Sequence, residues 1–159
     1  MTDQLHQINI SHDTKQDRLL LRISTTGGDE YRLWLTRRYT NLLLGVLNKE
    51  IDNQGGAPSV AGSEETTKML KNGALEKKYD SENTKTFPLN EEGVLAFRIN
   101  ARNTEEGNLA LELLPEEGKG ITLNLNKSLL YMFHNVLTQG ITQASWGLQT
   151  EISASMKVH

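Results

Sequence analysis

The run Leu19–Leu47 (LLLRISTTGGDEYRLWLTRRYTNLLLGVL) decides the fold, because it recurs without a gap 90 positions later as Leu109–Leu137 (LALELLPEEGKGITLNLNKSLLYMFHNVL). Seven pairs are identical: Leu19/Leu109, Leu21/Leu111, Gly28/Gly118, Leu33/Leu123, Leu35/Leu125, Val46/Val136 and Leu47/Leu137. Register kept through a turn, a strand, a cap and a helix points to a duplicated unit. It points to no chemistry.

Inside the run the hydrophobic period changes once. Leu19, Leu21 and Ile23, then Tyr31, Leu33 and Leu35, put apolar residues on one face of two strands, with Thr25–Glu30 as a glycine-bearing hairpin turn. Ile8 and Ile10 predict a strand before them, and Ser11–Asp17 a polar turn. From Tyr39 the spacing becomes helical, with a stripe of Tyr39, Leu42, Leu43, Val46, Leu47 and Ile51 behind Thr36 as N-cap. The second copy has the same grammar. Leu95, Phe97 and Ile99 predict its first strand and Ala101–Asn108 its turn. Leu109, Leu111, Leu113 and then Ile121, Leu123, Leu125 predict two further strands. Asn126 is the cap, and the stripe is Leu129, Met132, Phe133, Val136, Leu137 and Ile141.

The expected fold is therefore α+β: two pseudo-symmetric β-β-β-α units around one core. The units span residues 5–51 and 94–142, a polar flexible linker spans 52–93, and a tail spans 143–159. Leu33, Leu35, Val46, Leu123, Leu125 and Val136 are expected among the most buried residues. In the linker, Ser63-Glu64-Glu65 opens a weak helical stripe across Met69, Leu70, Leu75 and Tyr79. In the tail, Leu148, Thr150, Ile152 and Ala154 alternate like one more strand.

Composition narrows function mainly by exclusion. A net charge of −3 gives no general attraction to nucleic acid or anionic membrane. The absence of cysteine excludes disulfides and thiolate metal sites. The N-terminus has neither a basic nor an apolar signal region, and no apolar run approaches the ~20 residues of a spanning helix. The expectation is a soluble cytoplasmic protein that does not engage membrane. His6, His12, His134 and His159 fall at no ligand spacing, with His134 on the polar side of its helix, so no metal is expected. The paired glutamates lie in turns or the linker, Ser11-His12-Asp13 has triad residue types without triad geometry, and neither glycine pair leads into a helix as a phosphate loop does. No catalytic residue and no cofactor are expected, and the leading reading is a non-catalytic binding or assembly protein, with a protein partner or self-association; a small enzyme whose site carries no recognisable motif is a further alternative.

One surface stands apart. The outward positions of the first sheet carry Leu20, Arg22, Arg32 and Trp34, with Arg37 and Arg38 at the following helix start. An aromatic beside arginines on a solvated sheet can stack bases and pair phosphates, so single-stranded nucleic acid is the alternative ligand. Cover of Trp34 by the linker, the other unit or a partner is the competing expectation. The second copy has Ala110, Glu112, Thr122 and Asn124 at these positions.

The runs Gln7–Ile51 and Leu95–Ile141, each several strands then one capped helix, together resemble the PUR-repeat and Whirly-type proteins. The likeness is one of topology over roughly 90 residues and rests on no diagnostic motif. It implies two repeats that intertwine, helices packed on sheets, and sheet faces that bind single-stranded DNA or RNA. It departs from that group in showing three readable strands per unit where the group has four. The run Tyr31–Arg38 (YRLWLTRR) is also similar to a strand of uncharacterised proteobacterial proteins, which implies no activity.

Overall fold

A computed structural model describes residues 5–54 and 84–146. Period-two alternation builds β1 (Leu5–Asp13), β2 (Arg18–Thr25) and β3 (Glu30–Leu35) as an antiparallel meander. α1 (Arg37–Asn53) follows. The two-residue strand β4 (Val94–Leu95) pairs parallel with β3 and completes a sheet in the order β1-β2-β3-β4. β5 (Arg98–Asn103), β6 (Leu109–Leu114) and β7 (Ile121–Leu125) form a second antiparallel sheet, and α2 (Lys127–Ala144) follows it. The fold is α+β, and both units contribute to one hydrophobic core. Linker residues 55–83, with the weak helical stripe, and the tail alternation of Leu148–Ala154 lie outside the described residues.

Both helices start where their caps predict. The Thr36 hydroxyl accepts from the Tyr39 N–H at 3.1 Å, and Asn126 Oδ1 accepts from the Leu129 N–H at 2.9 Å. Each satisfies a first-turn donor that has no partner within the helix. The inward strand residues Leu19, Leu21, Ile23, Leu33 and Leu35 are buried, as are Leu109, Leu111, Leu113, Ile121, Leu123 and Leu125.

Four expectations are corrected. The second unit's first strand is Arg98–Asn103, so Leu95 and Phe97 are not core residues; they are 41% and 49% exposed. The chain here leaves one sheet for the other. The Ala96 N–H donates to Trp34 O at 2.9 Å, and the Phe97 N–H to Leu114 O at 2.7 Å. The turn between β5 and β6 correspondingly begins after Asn103, because Ala101–Asn103 still pair with β6. On α1, Leu42 is exposed and Val46 only partly buried, while Leu44 and Glu50 are buried, because the helix is turned toward α2 and β5. His134 lies between the helices, 2.8 Å from Asn48 Oδ1 of α1, and burial holds its imidazole below the ordinary histidine value.

The helices exchange sheets. α2 lies on β1 and β2 of the first unit. α1 reaches β5 of the second: the Tyr39 hydroxyl donates to Arg98 O at 3.0 Å, and Asn103 Nδ2 donates to Glu50 Oε2 at 2.7 Å. Pseudo-equivalent positions swap size at these crossings. Gly140 of α2 meets the branched Ile10 of β1. Its counterpart on α1 is Glu50, which faces Ala101, the β5 residue paired with Leu111 as Ile10 is paired with Leu21. The larger residue sits on the strand in one crossing and on the helix in the other. Each crossing is flanked by open space, a cavity of about 300 Å³ beside Ile10 and Gly140 and one of about 220 Å³ beside Glu50.

Replacing Gly140 tests the exchange. In an exposed helix, Gly→Ala gains about 1 kcal/mol. Here the new methyl would stand 2.6 Å from Ile10 Cγ2, and such overpacking costs about 1–3 kcal/mol. Gly140→Ala should therefore lower stability in urea unfolding. Combined with Ile10→Ala, which removes the opposing methyl, it should cost less than the sum of the two single losses. Strict additivity would mean that these residues do not touch.

Candidate functional site

Strand register arranges the outer face of the first sheet into rows. Leu20 pairs with Trp34, and Trp34 with Leu95, so three apolar side chains cross three adjacent strands in line. Asn9, Arg22 and Arg32 form the next row. Gln7, Ser24 and Glu30 form the one beyond, and all three are buried. Leu20, Arg22, Arg32 and Trp34 are each half-buried, so the structure gathers these four residues on one face. Leu95 joins them from β4, which alternation alone assigned to the other unit's core.

Residues 84–93, read from sequence as the end of a flexible linker, form one wall of this face. The Lys85 N–H donates to Gly28 O at 2.7 Å and the Glu30 N–H to Thr86 O at 3.0 Å, which ties the segment alongside β3 before β4 begins. Between these ties and β4 the backbone runs close to β3. A Cβ on Gly93, whose φ is +85°, would lie 2.9 Å from Arg32 O. The wall takes up the polar ends of the two central side chains. Arg32 donates through Nη1 to Glu91 O at 2.7 Å and through Nε to the fully buried Glu30 carboxylate, and its guanidinium lies 4.7 Å from the centre of the Phe87 ring. Trp34 Nε1 donates to Glu92 O at 2.9 Å. What remains is an open groove of about 880 Å³ between Arg18, Leu20, Trp34 and the Glu91–Gly93 wall. Leu20 and Trp34 are the apolar part of a lining that also holds Gln16, Arg18 and Arg32, and the exposed residues Glu91 and Glu92 form its lip.

Arg37 and Arg38 are exposed at the start of α1. Arg37 turns away from the row. It pairs with Asp17 at 3.2 Å and lies 5.5 Å from the centre of the Trp146 ring. No described contact ties Arg38 to the row. Asp17, in the β1–β2 turn with φ of 53°, also accepts from Trp146 Nε1 at 2.8 Å and lies 2.9 Å from His12 Nε2. The His12 and Trp146 rings meet edge to face with centroids 6.1 Å apart. One turn carboxylate thus joins the first hairpin, the start of α1 and Trp146 just beyond the α2 C-cap. Sequence reading had no signal for it, because its partners His12, Arg37 and Trp146 come from three separate segments.

The second sheet's outer face differs. Glu112 lies beside Asn100, which donates to it at 2.9 Å, and Thr122 and Asn124 are exposed. At the equivalent place in the first sheet, Asn9 accepts from Arg22 at 2.9 Å. The same amide serves an acid in one copy and a base in the other, because it carries both a donor and an acceptor.

The hydrogen bonds from Trp146 and His12 hold the Asp17 carboxyl below its ordinary range. A depressed carboxylate contributes stability that is complete above the unfolded value and lost as pH falls through the folded one. The near-ultraviolet signal of Trp146 and the unfolding midpoint should therefore fall together below the ordinary aspartate pKa. Asp17→Asn, which keeps an acceptor and tolerates the positive φ, should flatten that acid limb. An unchanged limb would place the acid sensitivity elsewhere.

Compared with known proteins, the chain matches no family model, no curated protein and no solved structure.

Proposed function

We propose that this is a non-catalytic binding protein that holds an apolar segment of a protein partner against the outer face of the first sheet. The row Leu20–Trp34–Leu95 carries this reading: three apolar side chains in line, half-buried to exposed, on a sheet whose opposite face is the core. Leu95 and Phe97 are two of the three large apolar side chains exposed among the described residues, with Leu42 the third. Apolar surface gathered beside a charged border suits a partner interface, and Trp and Arg at its centre are the residue types that carry most binding energy in such contacts. The indole is already oriented by Glu92 O, so little side-chain freedom remains to be lost on binding.

Single-stranded nucleic acid is the second reading, favoured by the half-buried indole beside Arg18 and Arg22. Two features weigh against it. Arg32 already serves Glu30 and Glu91 O, and the Glu91 and Glu92 carboxylates at the lip repel phosphate.

A photo-reactive phenylalanine at Leu95 should give a protein adduct in cells of the source organism. The same group at Thr122, on the second sheet's outer face, should give none. Trp34→Ala should weaken the captured complex about 30-fold or more, the effect of losing a central anchor. An adduct of twice the chain's mass identifies the partner as a second copy. Absence of any Leu95-dependent adduct, together with salt-sensitive quenching of Trp34 by single-stranded oligonucleotides, would overturn the protein-partner reading in favour of nucleic acid.

A further inference from the structure

The groove of about 220 Å³ between α1 and the edge strand β5 holds a buried acid with one oxygen still unpaired. Glu50 is 5% exposed. Its two hydrogen bonds, from Gln54 at 2.8 Å and Asn103 at 2.7 Å, both end on Oε2. Oε1 has no partner among the described residues. Nor is it sealed: the unpartnered side-chain atoms closed off from solvent among the described residues are Ser24 Oγ and Thr40 Oγ1. Glu50 lines the groove, so Oε1 opens into it. A carboxylate oxygen in so buried a side chain needs a donor, and here the donor must come through the groove.

The rest of the lining defines what that donor belongs to. Asn103 commits Nδ2 to Glu50 and keeps Oδ1 as an acceptor, and Asn53 adds a second amide. Three acceptors in one groove match the three N–H donors of an ammonium group. Lys49 and Arg102 line the same groove, and both are exposed. Neither side chain makes an ion pair or hydrogen bond among the described residues, so both are free to receive a carboxylate. Val46, Ala101 and Leu109 supply the apolar remainder. A buried acid with exposed bases beside it complements a small zwitterion. The crossing itself does not call for these charges. The pseudo-equivalent groove between α2 and β1 has Gln139, Gly140 and Gln143 where this one has Lys49, Glu50 and Asn53, and its lining holds no charged side chain.

We propose that this groove binds a free α-amino acid with a small apolar side chain. Its ammonium meets Glu50 Oε1 and the two asparagine carbonyls, its carboxylate meets Lys49 and Arg102, and its side chain lies on Val46 and Leu109. The site shares no residue with the apolar row of the first sheet, so either reading can fail without the other.

The test is titration of the whole chain with L-valine, and separately with isobutylamine and isovalerate, which keep the valine side chain but lack the carboxylate and the ammonium respectively. The backbone amide resonance of Ala101 and the side-chain amides of Asn53 and Asn103 are the readout. Valine should give saturable shifts at these groups and leave the side-chain amides of Gln139 and Gln143 unmoved. Each half-ligand should bind about tenfold more weakly or worse, the worth of one charge-assisted hydrogen bond. Glu50→Gln, which keeps the side chain's volume and an acceptor for Asn103, should weaken valine about tenfold and leave isovalerate undiminished. A purely structural glutamate would not separate these two ligands. Arg102→Gln, at an exposed position, should weaken valine and leave isobutylamine undiminished, and it decides the matter should Glu50→Gln fail to fold. Shifts that do not saturate, that either half-ligand reproduces at the same concentration, or that persist undiminished in the variants overturn the site.

Discussion

The structure depends on one constraint: the helices must cross between units, α2 lying on β1 and β2 of the first and α1 packing on α2 and reaching β5 of the second. A sheet with one apolar face and a helix with one apolar stripe must each find cover, and here the cover comes from the opposite copy. The crossing of α2 over β1 shows how tight this is, since Gly140 admits the Ile10 side chain where any Cβ would collide with it. The reciprocal crossing carries Glu50, a buried carboxylate that needs donors and receives them from Asn103 and Gln54. Separating the halves would strip both stripes of cover at once, so the two units stabilise a single core and not two independent ones.

The duplication explains which parts were legible in the sequence. Inward strand positions, both caps and the α2 stripe follow from local periods, and Leu33, Leu35, Leu125 and Phe133 are buried as those periods require. The errors cluster where long-range pairing overrides alternation. Leu95, Phe97 and Ile99 alternate as a single strand does, yet the chain changes sheets between Leu95 and Arg98, and alternation carries no information about which sheet a strand joins. Thr84–Gly93 is polar and glycine-bearing, so it reads as linker. Its backbone pairs with β3 all the same, because backbone hydrogen bonds do not require apolar side chains. The four residues Leu20, Arg22, Arg32 and Trp34 were readable as one face from parity. Their wall was not, nor was the exit of Arg37 to Asp17.

The inward faces of the two units agree because both must fill the shared core, while the outward faces differ. The first sheet's outer face became graded: a buried polar end at Gln7, Ser24 and Glu30, a basic row at Arg22 and Arg32, and an apolar row at Leu20, Trp34 and Leu95. The second acquired Glu112, Thr122 and Asn124, which solvent satisfies. The packing of the core does not require this gradient.

The sheet change ties that surface to the rest of the molecule. Leu95 stands on the outer face of the first sheet, Ala96 is buried, and Phe97 already hydrogen-bonds to Leu114 of the second sheet. The two most exposed apolar residues of this strand are thus one buried residue apart, held by different sheets. A ligand that covers Leu20, Trp34 and Leu95 and extends to Phe97 bridges both units across the line where they exchange helices. Such contact favours the arrangement in which both sheets hold this strand at once. Binding on this face would therefore be coupled to the stability of the exchanged core, by mass action on the folded state, with no conformational change required.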